Sequence, residues 1–189
     1  MPDLVPHVLR AGALGSRPPP VLSAGELVLR PWEPGDAPAL VAAYADPGVQ
    51  HWNGQSMTER EAEAYAAEWA EHWRAERRAG WAVVRGDELA GRITLRGLDH
   101  EQGCAEVTYW VVAAARGTGV APAAVASVCT WAFGEAGFHR LELQHSTRNP
   151  ASCRVAEKSG FALEGTRRSS LLHDDGWHDM HLHGRVSPR

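Results

Sequence analysis

The alternation of apolar and polar positions divides the chain into short strands and amphipathic helices in mixed order. Residues 26–31 read as a first strand, and Asp36 is placed to cap a helix to about Tyr44, which Asp46-Pro47-Gly48 ends. Thr58 and Glu61 have capping-box spacing. The helix they open is predicted to run to about Arg78, with Tyr65, Trp69 and Trp73 at four-residue steps forming a core-facing stripe. Residues 81–84 and 88–96 predict a hairpin around Gly86-Asp87, with the strand 104–112 beside it. A loop at 116–119 then opens a helix to about Glu135, Pro122 being tolerated in its first turn, and a strand follows at 139–145. A helix over 150–159, the pair Gly160-Phe161 and strands near 162–169 and 177–186 complete the pattern.

Because a helix joins strand 104–112 to strand 139–145, these two should run parallel through a right-handed crossover, whereas the hairpin strands are antiparallel. The fold class expected is α/β (α+β), a mixed sheet with helices on both faces. A chain of 189 residues is most economically one domain, here 25–189, preceded by a Pro-rich arm over 1–24 that is laid on the surface or left mobile.

Composition narrows the partners. The formal charge is −4 with acids and bases interspersed, so neither a nucleic-acid stripe nor a polybasic membrane patch is expected. Cys104, Cys129 and Cys153 are odd in number and form no Cys-x-x-Cys, which argues for a reducing, cytoplasmic setting. Pro2, Pro6, Arg10, Gly12, Gly15 and Pro18-Pro19-Pro20 interrupt the first twenty residues, so no signal core is read there. No run approaches a membrane span.

The chemistry starts at Arg116-Gly117-Thr118-Gly119-Val120-Ala121. Two glycines after a buried strand turn successive amides toward one point, and the new helix adds its unpaired N-terminal amides, which together suit a pyrophosphate. A Walker loop would need Lys and Ser or Thr after its second glycine, where Val120 and Ala121 stand. A dinucleotide fingerprint would need a third glycine, and position 122 is proline.

What remains, Arg-x-x-Gly-x-Ala, resembles the pyrophosphate loop of the GNAT superfamily of acyl-CoA-dependent N-acyltransferases. Other landmarks stand in the same order. Glu26 to Trp32 and Gly35 to Leu40 resemble the family's first strand and helix, and Asn149 to Phe161 with Glu164-Gly165-Thr166 resembles its last helix and following strand. Asn-x-x-Ser before Gly-Phe is most similar to the RimJ/RimL-type ribosomal-protein alanine N-acetyltransferases. The resemblance implies a mixed, mostly antiparallel sheet of about six to seven strands with a parallel splayed pair at its centre. It also implies acetyl-CoA as co-substrate, with Trp110, Val111 and Val112 offering backbone groups to the pantetheine arm. Amides from Arg116 through Gly117, Thr118, Gly119 and Val120 to Ala121 would take the pyrophosphate, and Asn149 would contact the CoA arm. Many members place a tyrosine acid seven residues after this asparagine; Ala156 stands there, so Ser152, one turn earlier, is the expected hydrogen-bond donor to the leaving sulfur.

Glu106, in a mostly apolar strand, is the candidate general base, acting through water, with a carboxylate that is merely solvated or paired with Arg or Lys as the alternative reading. The acceptor is expected against Gln50, His51, Trp52 and Asn53 and the turn at His173, Asp174 and Asp175, where carboxylates could draw a cationic amine, although Asp174-Asp175-Gly176 equally reads as a hairpin turn. Cys153 has no evident paired histidine and reads as packing. Asp179, His181 and His183 share one strand face but rarely close a tetrahedron alone, so no metal is expected. The expected activity is acetyl transfer to a primary amine, a ribosomal or other protein N-terminus or a small molecule, by a monomer or homodimer. A non-catalytic acyl-CoA-binding module is the alternative.

Overall fold

Eight strands and five α-helices account for the pattern in the computed structural model, which describes residues 4–188. The strands are β1 (Leu22–Ala24), β2 (Leu27–Arg30), β3 (Arg78–Arg85), β4 (Glu88–Asp99), β5 (Cys104–Val111), β6 (Arg140–Ser146), β7 (Ala162–His173) and β8 (Gly176–Val186). They form one sheet in the order β1-β2-β3-β4-β5-β6-β8-β7. Every neighbouring pair is antiparallel except β5 and β6. The sheet therefore has one strand more than the expected upper count, because β1 forms inside the span read as an arm and pairs with β2.

The helices are α1 (Ala37–Tyr44), α2 (Pro47–Asn53), α3 (Glu59–Arg74), α4 (Val120–Trp131) and α5 (Pro150–Lys158). Strand alternation divides the core between the two faces. Trp81, Val83, Ile93, Leu95, Val107, Leu141 and Leu143 join α4 and α5 in the larger cluster. Ala82, Val84 and Trp110 meet α1, α2 and α3 on the other side. Trp81 is wholly buried, its ring 5.3 Å from Trp131 and 6.4 Å from Trp73. Burying a large apolar side chain of this kind contributes about 1.5–3 kcal/mol.

Three boundaries differ from expectation, each for a physical reason. Asp46-Pro47-Gly48 ends α1 and also begins α2, since the Asp46 carboxylate accepts from the Val49 amide at 2.9 Å and Pro47 occupies the first turn. Helix α3 stops at Arg74, not near Arg78, and Glu76 turns to φ 51. There its carboxylate accepts from the amides of Gly12 (2.7 Å), Leu14 (2.6 Å) and Gly15 (2.8 Å), so a contact distant in sequence overrides helix continuation. The same contact holds the arm, whose Leu9 and Leu14 are buried in the larger core. The regular α-helix after the glycine loop ends at Trp131, and a π-turn over Ala132–Ala136 carries the chain on to Gly137.

The parallel pair positions the site. β5 and β6 match residues only at Cys104 with Arg140, Ala105 with Leu141 and Glu106 with Glu142. Beyond Glu106 the two strands diverge, β5 continuing to Val111 and β6 to Ser146, and a wedge opens between them.

Candidate active site

Two cavities open into this wedge. One of about 410 Å³ lies against the glycine loop and α5; the other, of about 430 Å³, lies among the polar residues of β4, β5, β6 and β7. Trp52, Asn53, Tyr109, Asn149 and Ser152 border both.

On the loop side, Trp110, Val111, Arg116, Gly117, Gly119, Val120 and Ala121, all named from the sequence, line the cavity. Val112 and Thr118 do not line it. Gly117 and Gly119 have φ 79 and 87, a left-handed geometry that lets the turn present its amides, and α4 begins directly after Gly119. The Thr118 hydroxyl turns back to the Ala115 carbonyl at 2.9 Å. Arg116 donates to the Val111 carbonyl at 3.2 Å and its guanidinium pairs with Asp46, fastening the loop to the start of α2. That pairing holds the Asp46 carboxyl below the usual range, helped by the Val49 amide. Two cations absent from the sequence expectation, Arg154 and Lys158, also line this cavity. Their four-residue spacing with Ala151 and Val155 on one face of α5 was the available signal.

The second cavity carries the charge. Arg92, Arg96, Arg167 and Glu106 line it with Thr108, Gln144 and Ser146. Glu106 faces Arg96 across the β4–β5 register and accepts two hydrogen bonds from it, at 2.7 and 3.0 Å. Arg92 donates to the Tyr44 hydroxyl at 2.5 Å and the Tyr65 hydroxyl at 3.1 Å, and its cation lies 5.7 Å from the centre of the Trp110 ring. Arg167 reaches the Gln144 amide oxygen at 3.4 Å. With Glu106 matched by Arg96, Arg92 and Arg167 leave this cavity with an excess of positive charge.

At the junction, Asn149 caps α5 by accepting from the Ser152 amide at 3.0 Å, so the capping role is present. The buried Tyr109 hydroxyl lies beside Ser152 but makes no hydrogen bond of good geometry, and burial pushes its pKa up to about 12. Tyr109 lies outside the sequence expectation because it stands on the strand face opposite Glu106 and Trp110. Its signal was a polar-tipped ring on the face of Ala105 and Val107, which are buried. Ala156 is fully buried in the larger core.

Trp52 and Asn53 do border the cavities, whereas Asp174 and Asp175 line neither. They work as a clasp: Asp174 meets His51 at 2.7 Å, and Asp175 meets His178 at 2.6 Å and Arg148 at 3.1 Å. The β7–β8 turn is thereby pinned to α2. Among the described residues, two groups of side chains have ligand spacing, His51 with Asp174 and Asp175, and His145 with Cys153, His181 and His183. The first is largely exposed and already paired in this clasp.

Residues 26–162 match the acetyltransferase (GNAT) domain family. The chain is 27% identical over 174 residues to an uncharacterized N-acetyltransferase, YoaA, of Bacillus subtilis (strain 168), covering 90% of this chain and 98% of that one. It is 26% identical over 104 residues to the ribosomal-protein-serine acetyltransferase of Escherichia coli (strain K12), covering 55% and 58% of the two chains. Among solved structures, Mycobacterium smegmatis RimJ in complex with CoA-disulfide superimposes with a TM-score of 0.80 at 24% identity, over 90% of this chain and 88% of that one.

Proposed function

The chain belongs to the GNAT acetyltransferases, and from that membership we propose that it carries an acetyl group from acetyl-CoA directly to a primary amine at the junction of its two cavities. The observation that carries this reading is the wedge itself. A donor cavity ending in a glycine loop and a polar acceptor cavity meet at Tyr109, Asn149 and Ser152, so a thioester from one side and an amine from the other would reach the same point. The edges that β5 and β6 do not use on each other supply hydrogen bonds to an extended pantetheine arm. The diphosphate would sit on amides of Gly117 to Ala121 with Arg154 and Lys158 nearby.

Transfer then needs the ammonium to lose a proton, the amine nitrogen to attack the thioester carbonyl, and the C–S bond to break with the electron pair leaving on sulfur. Glu106, held by Arg96, takes the first proton through water. Ser152, with the Tyr109 hydroxyl beside it, donates to the sulfur as charge develops there. Ala156 stands where resembling enzymes place a tyrosine, and this favours the second reading, a module that binds acyl-CoA without transferring it. Tyr109 at the junction answers that objection, since it brings a phenol to the sulfur from β5 instead of α5.

The acceptor is a protein N-terminus in this reading, supported by the names of the ribosomal-protein enzymes among the relatives, and the compartment is the cytoplasm. Arg92 and Arg167 favour an acceptor with a carboxylate or other anion close to its amine, and Asp174 and Asp175, which line neither cavity, are placed as the hairpin turn. The test is a panel of small amines and N-terminal peptides with acidic, neutral or basic early residues, incubated with acetyl-CoA and read by mass spectrometry. Acetylation of the acidic-start peptides ahead of the basic ones is expected. Saturable CoA binding with no transfer to any amine would establish the binding module instead.

A further inference from the structure

Four side chains to which acetyl transfer assigns no chemical step converge beside α5, one of them, His145, also bordering the second cavity. His145 on β6 stands opposite His181 on β8, and His183, two residues on, shares that face. Cys153 comes from α5, directly after Ser152. One ligand atom from each lies within 4.8 Å of the others. We propose that His145, Cys153, His181 and His183 form a binding site for a divalent transition metal of the zinc type, which fastens α5 to the sheet.

The donor chemistry selects the ion. Three imidazoles and a thiolate suit zinc or cobalt and are poor ligands for magnesium or calcium, and a set of four protein ligands is the closed arrangement of a structural site. The spacing agrees: the Nε2 atoms of His145 and His183 are 3.1 Å apart. Two nitrogens about 2.05 Å from a tetrahedral ion are about 3.3 Å apart. Tautomers point the same way. The Ser146 carbonyl can only accept, so the Nδ1 of His145, 2.8 Å from it, carries the proton and Nε2 presents its lone pair to the cluster. Without an ion, one proton must sit between the two Nε2 atoms, while the Nδ1 atoms of His183 and His181 make no hydrogen bond of good geometry, although the Phe161 backbone lies beside His183. An ion accepts the lone pairs that protein groups leave facing one another.

The surroundings favour the ligand forms of the histidines. Burial first, and then the neighbouring imidazoles, hold His145 and His183 below the usual histidine range. Burial and Glu157 raise the Cys153 thiol, so binding exchanges its proton for the ion and releases one proton to solvent. Glu157, 3.7 Å from the sulfur, balances the charge added. The sequence pointed to Asp179 as the third group on this face, but that carboxylate accepts from the Ser169 amide at 2.8 Å and is not in the cluster. The completing ligands come from another strand and a helix, which is why spacing along β8 alone was insufficient.

Chelator-treated protein titrated with cobalt(II) tests the site. One cobalt per chain is expected, with the strong visible bands of tetrahedral coordination and a near-ultraviolet thiolate charge-transfer band, both bleached by zinc. Zinc at a hundredfold excess over its Kd should raise Tm by roughly 5–10 °C. Cys153→Ser should abolish the charge-transfer band and weaken binding at least tenfold. Should that variant not fold, His181→Asn reads the same site through loss or change of the visible bands. Folded wild-type protein that binds no stoichiometric cobalt, or a spectrum unchanged by the folded variant, would overturn the proposal.

Discussion

Substituting Gly119 separates the cost of a strained backbone from the cost of an obstructed anion site. Gly119 has φ 87 and ψ 4, and an added Cβ would meet no protein atom within 4 Å. The penalty to the fold is therefore conformational, about 1–2 kcal/mol for an L-residue in the left-handed region, or roughly 2–8 °C in Tm for a chain of this size. The empty space around the Cβ is where a diphosphate would approach the amides of the loop. Valine there removes at least one charge-assisted hydrogen bond worth about 1.5–3 kcal/mol, which corresponds to a ten- to hundredfold weaker CoA complex. Calorimetric titration with CoA, alongside thermal melts, measures both quantities. Gly25→Val is the control, since Gly25 has φ 65 in the turn between β1 and β2 and also nothing within 4 Å of its Cβ. It should lose similar stability and bind CoA normally. Unchanged CoA affinity in folded Gly119→Val, or an equal loss in Gly25→Val, refutes the placement of the anion.

Three further outcomes are expected. Ser152→Ala should lower kcat about ten- to hundredfold with CoA affinity retained, and Tyr109→Phe should act in the same direction; full turnover in both would remove the proposed donors to sulfur. Glu106→Gln should slow kcat/KM near pH 7 by about 10² or more and recover at higher pH, where free amine is already present, whereas coincident pH profiles would leave Glu106 as a structural partner of Arg96. At Glu76, burial alone would raise the carboxyl pKa, but the amides of Gly15, Gly12 and Leu14 outweigh it and hold the value below the usual range. The folded-state pKa being depressed, its stabilisation is present above about pH 4.5 and is lost as pH falls through the folded value. Glu76→Gln should therefore lower Tm at pH 7, with a gap to wild type that closes in acid; a gap independent of pH refutes this role.

Local rules carried much of the fold. The capping box at Thr58 and Glu61 forms as spaced, both halves being present, because it depends on residues three apart. The parallel relation of β5 and β6 follows from the helix between them. Elements set by distant contacts were the ones misread. The end of α3 depends on Glu76 finding three amides of the arm, more than sixty residues away in sequence. Helix α2 was hidden because Pro47 and Gly48 read as a stop, although proline in a first turn after a capping Asp46 is equally a start. The loop-side cavity was readable because its glycines, strand end and helix start are contiguous. The polar cavity was not: Arg92, Arg96 and Arg167 come from two strands separated by the wedge, and only the folded sheet places them around one volume.

The same topology explains why two cavities meet in the wedge. The β5–α4–β6 crossover forces a parallel pair into an otherwise antiparallel sheet, and that pair matches residues only as far as Glu106 and Glu142. Past that point each strand has an edge without its neighbour, and helices cover both faces, so the opening has an entrance from each side. The glycine loop and α5 furnish one entrance with amides and cations; β4 and β7 furnish the other with arginines. Tyr109 and Ser152, on β5 and α5, lie where the entrances meet, and α5 is also the helix that carries Cys153. Motion of α5 against the sheet would alter both cavities at once. The His-Cys cluster is placed to restrain that motion, and its occupancy should change kcat through the position of Ser152 more than through any contact with the acceptor.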